Sequence, residues 1–243
     1  MRKIQIKVPL YLPDSVYLVL KALRRSDSTS REKGSDINLL GDRDVEWSWI
    51  GSQMPQRGQY ALDFGNGGSP LALLAAMKGF DVTAVDMGSV NWPHVHPKVQ
   101  FIQGDILELR LPKKHFDLVI NCSTVEHVGV AGRYDVTENR PDGDLEAMAR
   151  LKSLMKPRGT MLLTIPVGQD ALFAPLCRVY GVERLPRLLA GYKVEKEVFW
   201  VKDEENRWVQ SRREAALNSI ASFHSFNPLE NVSALGCFAL RRP

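Results

Sequence analysis

The sequence predicts an α/β fold, doubly wound, with helices on both faces of a mostly parallel sheet. Three observations predict it. From Gln59 onward, short apolar runs alternate with segments of helical period. The first of these runs end on glycine or aspartate, as strands do where they feed a turn. The chain has 243 residues, 44% hydrophobic and 25% charged, which suits one α/β domain with additions. Strands alternating with helices imply βαβ units joined by right-handed crossovers.

The elements follow in chain order. Residues 1–58 are expected to form an N-terminal helical cover, and 59–243 the main domain. Val16–Arg25 is a helix candidate capped by Asp14 or Ser15. Ser26–Gly34 is polar and reads as a linker. Asp42–Met54 suggests a helix with Trp47 and Ile50 on one face and Trp49 elsewhere, as a lid or contact residue. Tyr60–Phe64 is an apolar run ending in glycines, and Leu71–Met77 is helical. Val82–Val85 ends at Asp86, Val99–Ile102 near Asp105, and Phe116–Ile120 reads as a buried strand. Asp144–Met155 carries Leu145, Met148 and Leu151 at helical spacing. Met161–Ile165 is a strand closing at Pro166. Beyond Gly168 the pattern loosens into a helix near Val182–Ala190, a strand over Lys193–Val201, a helix near Arg212–Ile220 and a strand at Ala234–Leu240. Residues 168–243 are expected to complete the sheet and to supply an acceptor pocket.

The bulk properties narrow the partners. Cys122, Cys177 and Cys237 are few and widely spaced, which argues for reduced thiols and a cytoplasmic location, and against a disulfide framework or a zinc site. There is no apolar run of membrane-spanning length and no signal-peptide pattern, so the expectation is a protein without either. The net charge of +4 is scattered along the chain rather than gathered in one stretch, which disfavours nucleic acid as a partner. A peripheral membrane contact through Val16–Arg25 and a homo-oligomer are left open.

Asp63–Pro70 (DFGNGGSP) lies between a strand and a helix, where open α/β sheets bind ligands. Its glycines permit a tight turn and close approach to a ligand. A dinucleotide fingerprint would place a third glycine where Pro70 stands, and its pyrophosphate needs free N–H groups at the helix start. Pro70 has no N–H. Asp63 would add negative charge beside phosphates, and suits instead a cationic ligand such as S-adenosylmethionine (SAM), with its ammonium and sulfonium. Asp86 follows the loop by roughly twenty residues, at the position where an acidic side chain meets a ribose.

These segments together resemble the class I SAM-dependent methyltransferases, over about Tyr60–Pro166. The matching stretches are DFGNGGSP, AVDM (Ala84–Met87), QGDI (Gln103–Ile106), FDLVINCSTVEHV (Phe116–Val128) and MKPRGTMLLTIP (Met155–Pro166). The resemblance implies a seven-stranded Rossmann-like sheet and SAM as cofactor. It implies that Asp63, Gly65, Asn66 and Gly67 line the methionine end, Asp86 and Met87 the ribose, and Asp105 and Ile106 the adenine. Asn121 and Cys122 would lie near the sulfonium. Ser69 and Arg158 depart from the family, each replacing a commoner glycine. The Glu126–His127 pair after the fourth strand resembles that of ubiquinone-pathway O-methyltransferases. VEHVG, the Gly-Arg-Tyr segment, GDLEAM and IPVGQD resemble methyltransferase-like proteins associated with polysaccharide synthesis.

The expected function is therefore methyl transfer from SAM to a hydroxyl (or amine) of a small molecule or glycan-linked intermediate. Such a displacement needs alignment and exclusion of water, and a hydroxyl acceptor gains from a base. His127 is the leading base, with Glu126 to orient it. Arg133, Tyr134, Arg178 and Tyr180 are the acceptor-side candidates. Either arginine suits a phosphate or carboxylate, and either tyrosine can stack on a ring. No metal site is expected: His94 and His96 form an H-x-H pair in a proline-bounded loop with no third ligand. Two rival readings are a non-catalytic subunit of a biosynthetic complex and an NAD-dependent oxidoreductase.

Overall fold

The computed structural model describes residues 42–90, 95–221 and 232–243. The expected helix at Val16–Arg25, the linker after it and His94 lie outside these residues. The order is α1 (Asp42–Gln53), β1 (Tyr60–Phe64), α2 (Leu71–Met77), β2 (Asp81–Asp86), β3 (Val99–Gln103) and β4 (Phe116–Cys122). A 3-10 turn (Val125–His127) leads to α3 (Gly143–Leu154), β5 (Met155–Pro166), β6 (Ala171–Phe173) and β7 (Cys177–Val179). The chain closes with α4 (Arg184–Leu188), β8 (Lys193–Lys202), β9 (Trp208–Ser211), α5 (Arg213–Leu217) and β10 (Ala234–Arg241).

One sheet takes the order β3-β2-β1-β4-β5-β10-β8-β9. Its β3 to β5 half is parallel, and β10, β8 and β9 are antiparallel. The expected seven strands are corrected to eight. The addition is β9, which pairs with β8 from Phe199↔Ser211 to Lys202↔Trp208. It is four residues long with only Trp208 buried, too short for its alternation to register in the sequence. The β6–β7 hairpin is a separate two-stranded sheet, also unforeseen.

Each central strand is apolar on both faces because helices cover both. Leu62, Val119, Met161 and Phe238 face a core with α3, α4 and α5. Ala61, Leu118, Leu162 and Cys237 face α1 and α2. The α1 helix buries Val45, Glu46, Trp49 and Ile50, while Trp47 is only partly covered. Trp49, expected as a lid or contact residue, is a core residue at 8% exposure. The reason is the i, i+4 spacing of Val45 with Trp49, which stacks both on the face turned to the sheet. Beside them on that face sits a charged residue, Glu46, whose partners lie at the site.

Candidate functional site

The strand order reverses between β1 and β4, so the crevice at their carboxyl ends is the topological switch point. The glycine loop, Asp86, Asn121 and the 3-10 turn all sit at these ends. The loop is held from two sides. Gly65 N–H donates to Val85 O at 2.8 Å, and Gly67 N–H to the Asp86 carboxylate at 2.8 Å. Gly65 has φ 71°, and a Cβ there would lie 2.0 Å from Thr124 Cγ2. Only glycine meets both conditions. Thr124 thereby locks the β1 loop against the end of β4, and its hydroxyl donates to Cys122 O at 3.0 Å.

Asp63 is buried at the end of β1 and accepts a hydrogen bond from Asn66 Nδ2 at 2.7 Å. Burial pushes its pKa up to about 7, against the opposing pull of the Asn66 amide. Asn66 is buried too, and its Oδ1 has no hydrogen-bond partner among the described residues. An acidic group and an orphaned acceptor oxygen thus lie side by side in the loop. Asp86 also accepts from Gly88 N–H at 3.0 Å. Asn121 is buried, with Oδ1 accepting from Val125 N–H at 3.3 Å, and so starts the 3-10 turn. Cys122 is buried as well, and burial pushes its thiol pKa well above the usual value.

Sequence reasoning missed the residues that join α1 to this site. Glu46 is fully buried, and its Oε1 accepts from Ser123 Oγ and, at 2.7 Å, from Thr164 Oγ1. Its Oε2 lies 2.5 Å from Arg43 NH1. The network therefore ties α1 to the ends of β4 and β5. The available signal was a glutamate set between Val45 and Trp49 on an apolar helical face, together with the hydroxyls of Ser123 and Thr164.

Glu126 and His127 emerge side by side from the 3-10 turn. His127 Nδ1–H donates to Leu176 O at 2.6 Å, which leaves Nε2 as the lone-pair nitrogen of the neutral ring. That Nε2 is 3.7 Å from Glu126 Oε1, beyond direct hydrogen bonding. One edge of the ring reaches solvent, yet most of it is enclosed. Burial, then the Arg133 charge, push the His127 pKa down to about 3. Burial pushes Glu126 up to about 8, with the Glu46 charge adding to it. At neutral pH the carboxyl therefore holds a proton and the imidazole does not. Glu126 Oε2 has no hydrogen-bond partner among the described residues.

The four acceptor-side candidates divide. Arg133 and Tyr134 lie beside His127, with Tyr134 exposed. The Arg133 guanidinium sits 4.4 Å over the Tyr134 ring, and the Tyr134 and His127 rings meet edge-on at 4.9 Å. Arg178 and Tyr180 are interior, at 3% and 0% exposure. The Arg178 guanidinium donates to Val128 O at 2.6 Å and Arg140 O at 2.8 Å, with Asp144 3.7 Å away. Tyr180 is enclosed, and burial with the nearby Asp144 charge raises its hydroxyl pKa well above the usual value. Neither side chain is presented at the surface, and the Arg178 guanidinium is taken up by carbonyls of the segment after the 3-10 turn.

A family model described as a Caenorhabditis protein of unknown function, DUF268, matches residues 107–225. No curated protein matches this chain. Solved structures do. The [4+2]-cyclase SpnF has 15% identity and a TM-score of 0.55, with 94% of each chain covered. The N-methyltransferase NodS from Bradyrhizobium japonicum, in complex with S-adenosylhomocysteine, has 14% identity, a TM-score of 0.52, and 92% of this chain and 97% of that one covered. A SAM-dependent methyltransferase from Methanosarcina mazei has 14% identity and a TM-score of 0.52, covering 80% of this chain and 96% of that one. The chain has the class I SAM-dependent methyltransferase fold.

Within that fold the remaining candidates occupy the β2 and β3 edge. Asp105 accepts from Leu107 N–H at 2.8 Å and turns the chain after β3, while Ile106 is buried. Met87 O accepts from Gln103 Nε2 at 3.0 Å, which joins the ends of β2 and β3. His96 Nδ1 accepts from Lys98 N–H at 3.2 Å, closing its own loop. His115 stacks on Tyr60 at 4.0 Å. A cavity of about 280 Å³ opens between Tyr60, Gln100 and His115, but at the amino ends of the strands. The buried acidic and imidazole groups of Asp63, Glu126 and His127 stand at the other end, at the topological switch point, so the candidate site is there. Among the described residues no helix is long and apolar enough to cross a membrane.

Proposed function

We propose that this protein transfers a methyl group from SAM to a hydroxyl (or amine) of a small molecule or glycan-linked intermediate. The observation that carries the reading is the loop at the switch point: a buried Asp63 beside the orphaned Asn66 Oδ1, with Pro70 at the helix start. That set offers acceptors to a cation and few donors to a pyrophosphate, since Gly67 N–H is already held by Asp86. Asp63, Gly65, Asn66 and Gly67 would hold the methionine end of SAM, Asp86 and Met87 the ribose, and Asp105 and Ile106 the adenine. Asn121 and Cys122 would border the sulfonium. SAM supplies an electrophilic methyl group. Neighbours of this fold crystallised with S-adenosylhomocysteine agree with that cofactor, although a cyclase on the same fold shows that fold alone does not select the reaction.

On the acceptor side, the proton affinities support Glu126 as the base and His127 as its orienting partner. A hydroxyl oxygen can sit about 2.8 Å from both His127 Nε2 and a Glu126 oxygen across their 3.7 Å gap. An imidazole whose pKa is about 3 is a weak proton acceptor, whereas a carboxyl whose pKa is about 8 accepts a proton strongly in its ionised form, a minor form at neutral pH that gains population as pH rises toward 8. Arg178 would act by holding the segment after the 3-10 turn. Calorimetric titration with S-adenosylhomocysteine and with NADH tests the cofactor. The expected result is micromolar binding of the first and none of the second. Tight NADH binding without any response to S-adenosylhomocysteine would overturn the reading.

A further inference from the structure

Three guanidinium groups act on His127: Arg133, Arg43 and Arg178. Two of them are matched by the protein. Arg43 pairs with Glu46, and Arg178 lies against Asp144 and donates to a row of backbone carbonyls. Arg133 differs. Among the described residues no carboxylate comes within 4.0 Å of it, Asp135 included. Its charge bears on His127 and Cys177, both of them neutral near pH 7. The nearby Glu126 holds its proton there too. A half-buried guanidinium without a counter-charge from the described residues keeps its donors available to an anion supplied from outside.

The backbone is shaped to present this group. Gly132 has φ 100°, and the consecutive residues Tyr134 and Asp135 have φ 54° and 60°. Two adjacent non-glycine residues in the left-handed region are costly and persist where the surroundings over-determine them. The result places Arg133 over the Tyr134 ring at 4.4 Å while Tyr134 stays 43% exposed beside His127. A planar guanidinium stacked on an exposed ring recognises an anionic group that has a ring attached.

We propose that Arg133 and Tyr134 form an anion-selective subsite, taking a molecule that bears a carboxylate or phosphate beside a ring that stacks on Tyr134. That this molecule is the methyl acceptor rests on the function proposed above; the subsite itself does not. The test is calorimetric titration of the full chain with two matched pairs of probes: 4-hydroxybenzoate against 4-hydroxybenzamide, and glucose 6-phosphate against glucose. At least one anion is expected to bind about tenfold or more tightly than its neutral partner, and the favoured pair identifies carboxylate or phosphate. Arg133→Gln is expected to abolish that preference, and Arg133→Lys to keep part of it. Equal affinity within both pairs, no binding of any probe, or a preference that survives Arg133→Gln would overturn the subsite. S-adenosylhomocysteine, titrated into the same variants, reports separately on the fold and cofactor loop. Its failure to bind beside an intact anion preference would sink the methyl-transfer reading and leave the subsite standing.

Discussion

Glu126 and His127 are neighbours in sequence with proton affinities pushed in opposite directions by one cause, burial, because burial opposes whichever form is charged. The folded protein holds the Glu126 proton up to about pH 8, against an unfolded value near 4.5, so its contribution favours the fold at low pH and is lost as pH rises through that window. Glu126→Gln removes the titration while keeping the shape. Its melting temperature is expected to exceed that of the parent by several degrees at about pH 9 and to match it near pH 5, read by differential scanning calorimetry. If Glu126 is also the base, the same variant lowers kcat by about 10²–10⁴-fold. Asp63, proposed to meet the methionine end of the cofactor, carries the counterpart. Its pKa of about 7 means that a cationic ligand must draw it into its ionised form. Affinity for S-adenosylhomocysteine is thus expected to rise with pH up to about 7 and then level off, and Asp63→Asn should flatten that rise in calorimetric titrations.

At the scale of elements, the segment after the 3-10 turn has little regular structure of its own and depends on borrowed support. Arg178, from β7, supplies it by donating to carbonyls at Val128 and Arg140, and Arg184 reinforces it through Asp144 at 2.5 Å. Arg178→Ala leaves those buried acceptors without a donor. The expected cost is about 1–3 kcal/mol of stability by urea denaturation, with a larger loss of acceptor turnover than of cofactor affinity. Equal losses in both would show that Arg178 acts on the whole fold instead. The α1 helix is tied in the same way from the other face, because Glu46 receives side chains from both β4 and β5.

For the whole molecule, protection should follow the sheet order. β1, β4 and β5 are central and covered on both faces, while β3 and β9 are edges. Native-state hydrogen exchange is expected to find the slowest amides in β1, β4 and β5, and the fastest-opening strands in β3 and β9. Uniform exchange across the sheet would contradict this layered picture.

The sequence by itself determined the elements of the parallel half and the place of the glycine loop between its first strand and helix. Period and punctuation reveal β1 through β5, and a glycine loop after the first strand can serve only where the chain turns over the sheet's carboxyl edge. These are local properties, readable because each depends on residues close together in the chain. Tertiary structure decided the rest. It made Trp49 core, added β9 to the sheet, and brought Glu46 to Thr164, 118 residues away. It also separated two arginines that the sequence could not rank: Arg178 is enclosed among carbonyls, while Arg133 stands over Tyr134 without a counter-charge from the described residues. Charge balance and burial are sums over neighbours distant in sequence, so only the folded arrangement shows which group has its needs met and which is left without a counter-charge.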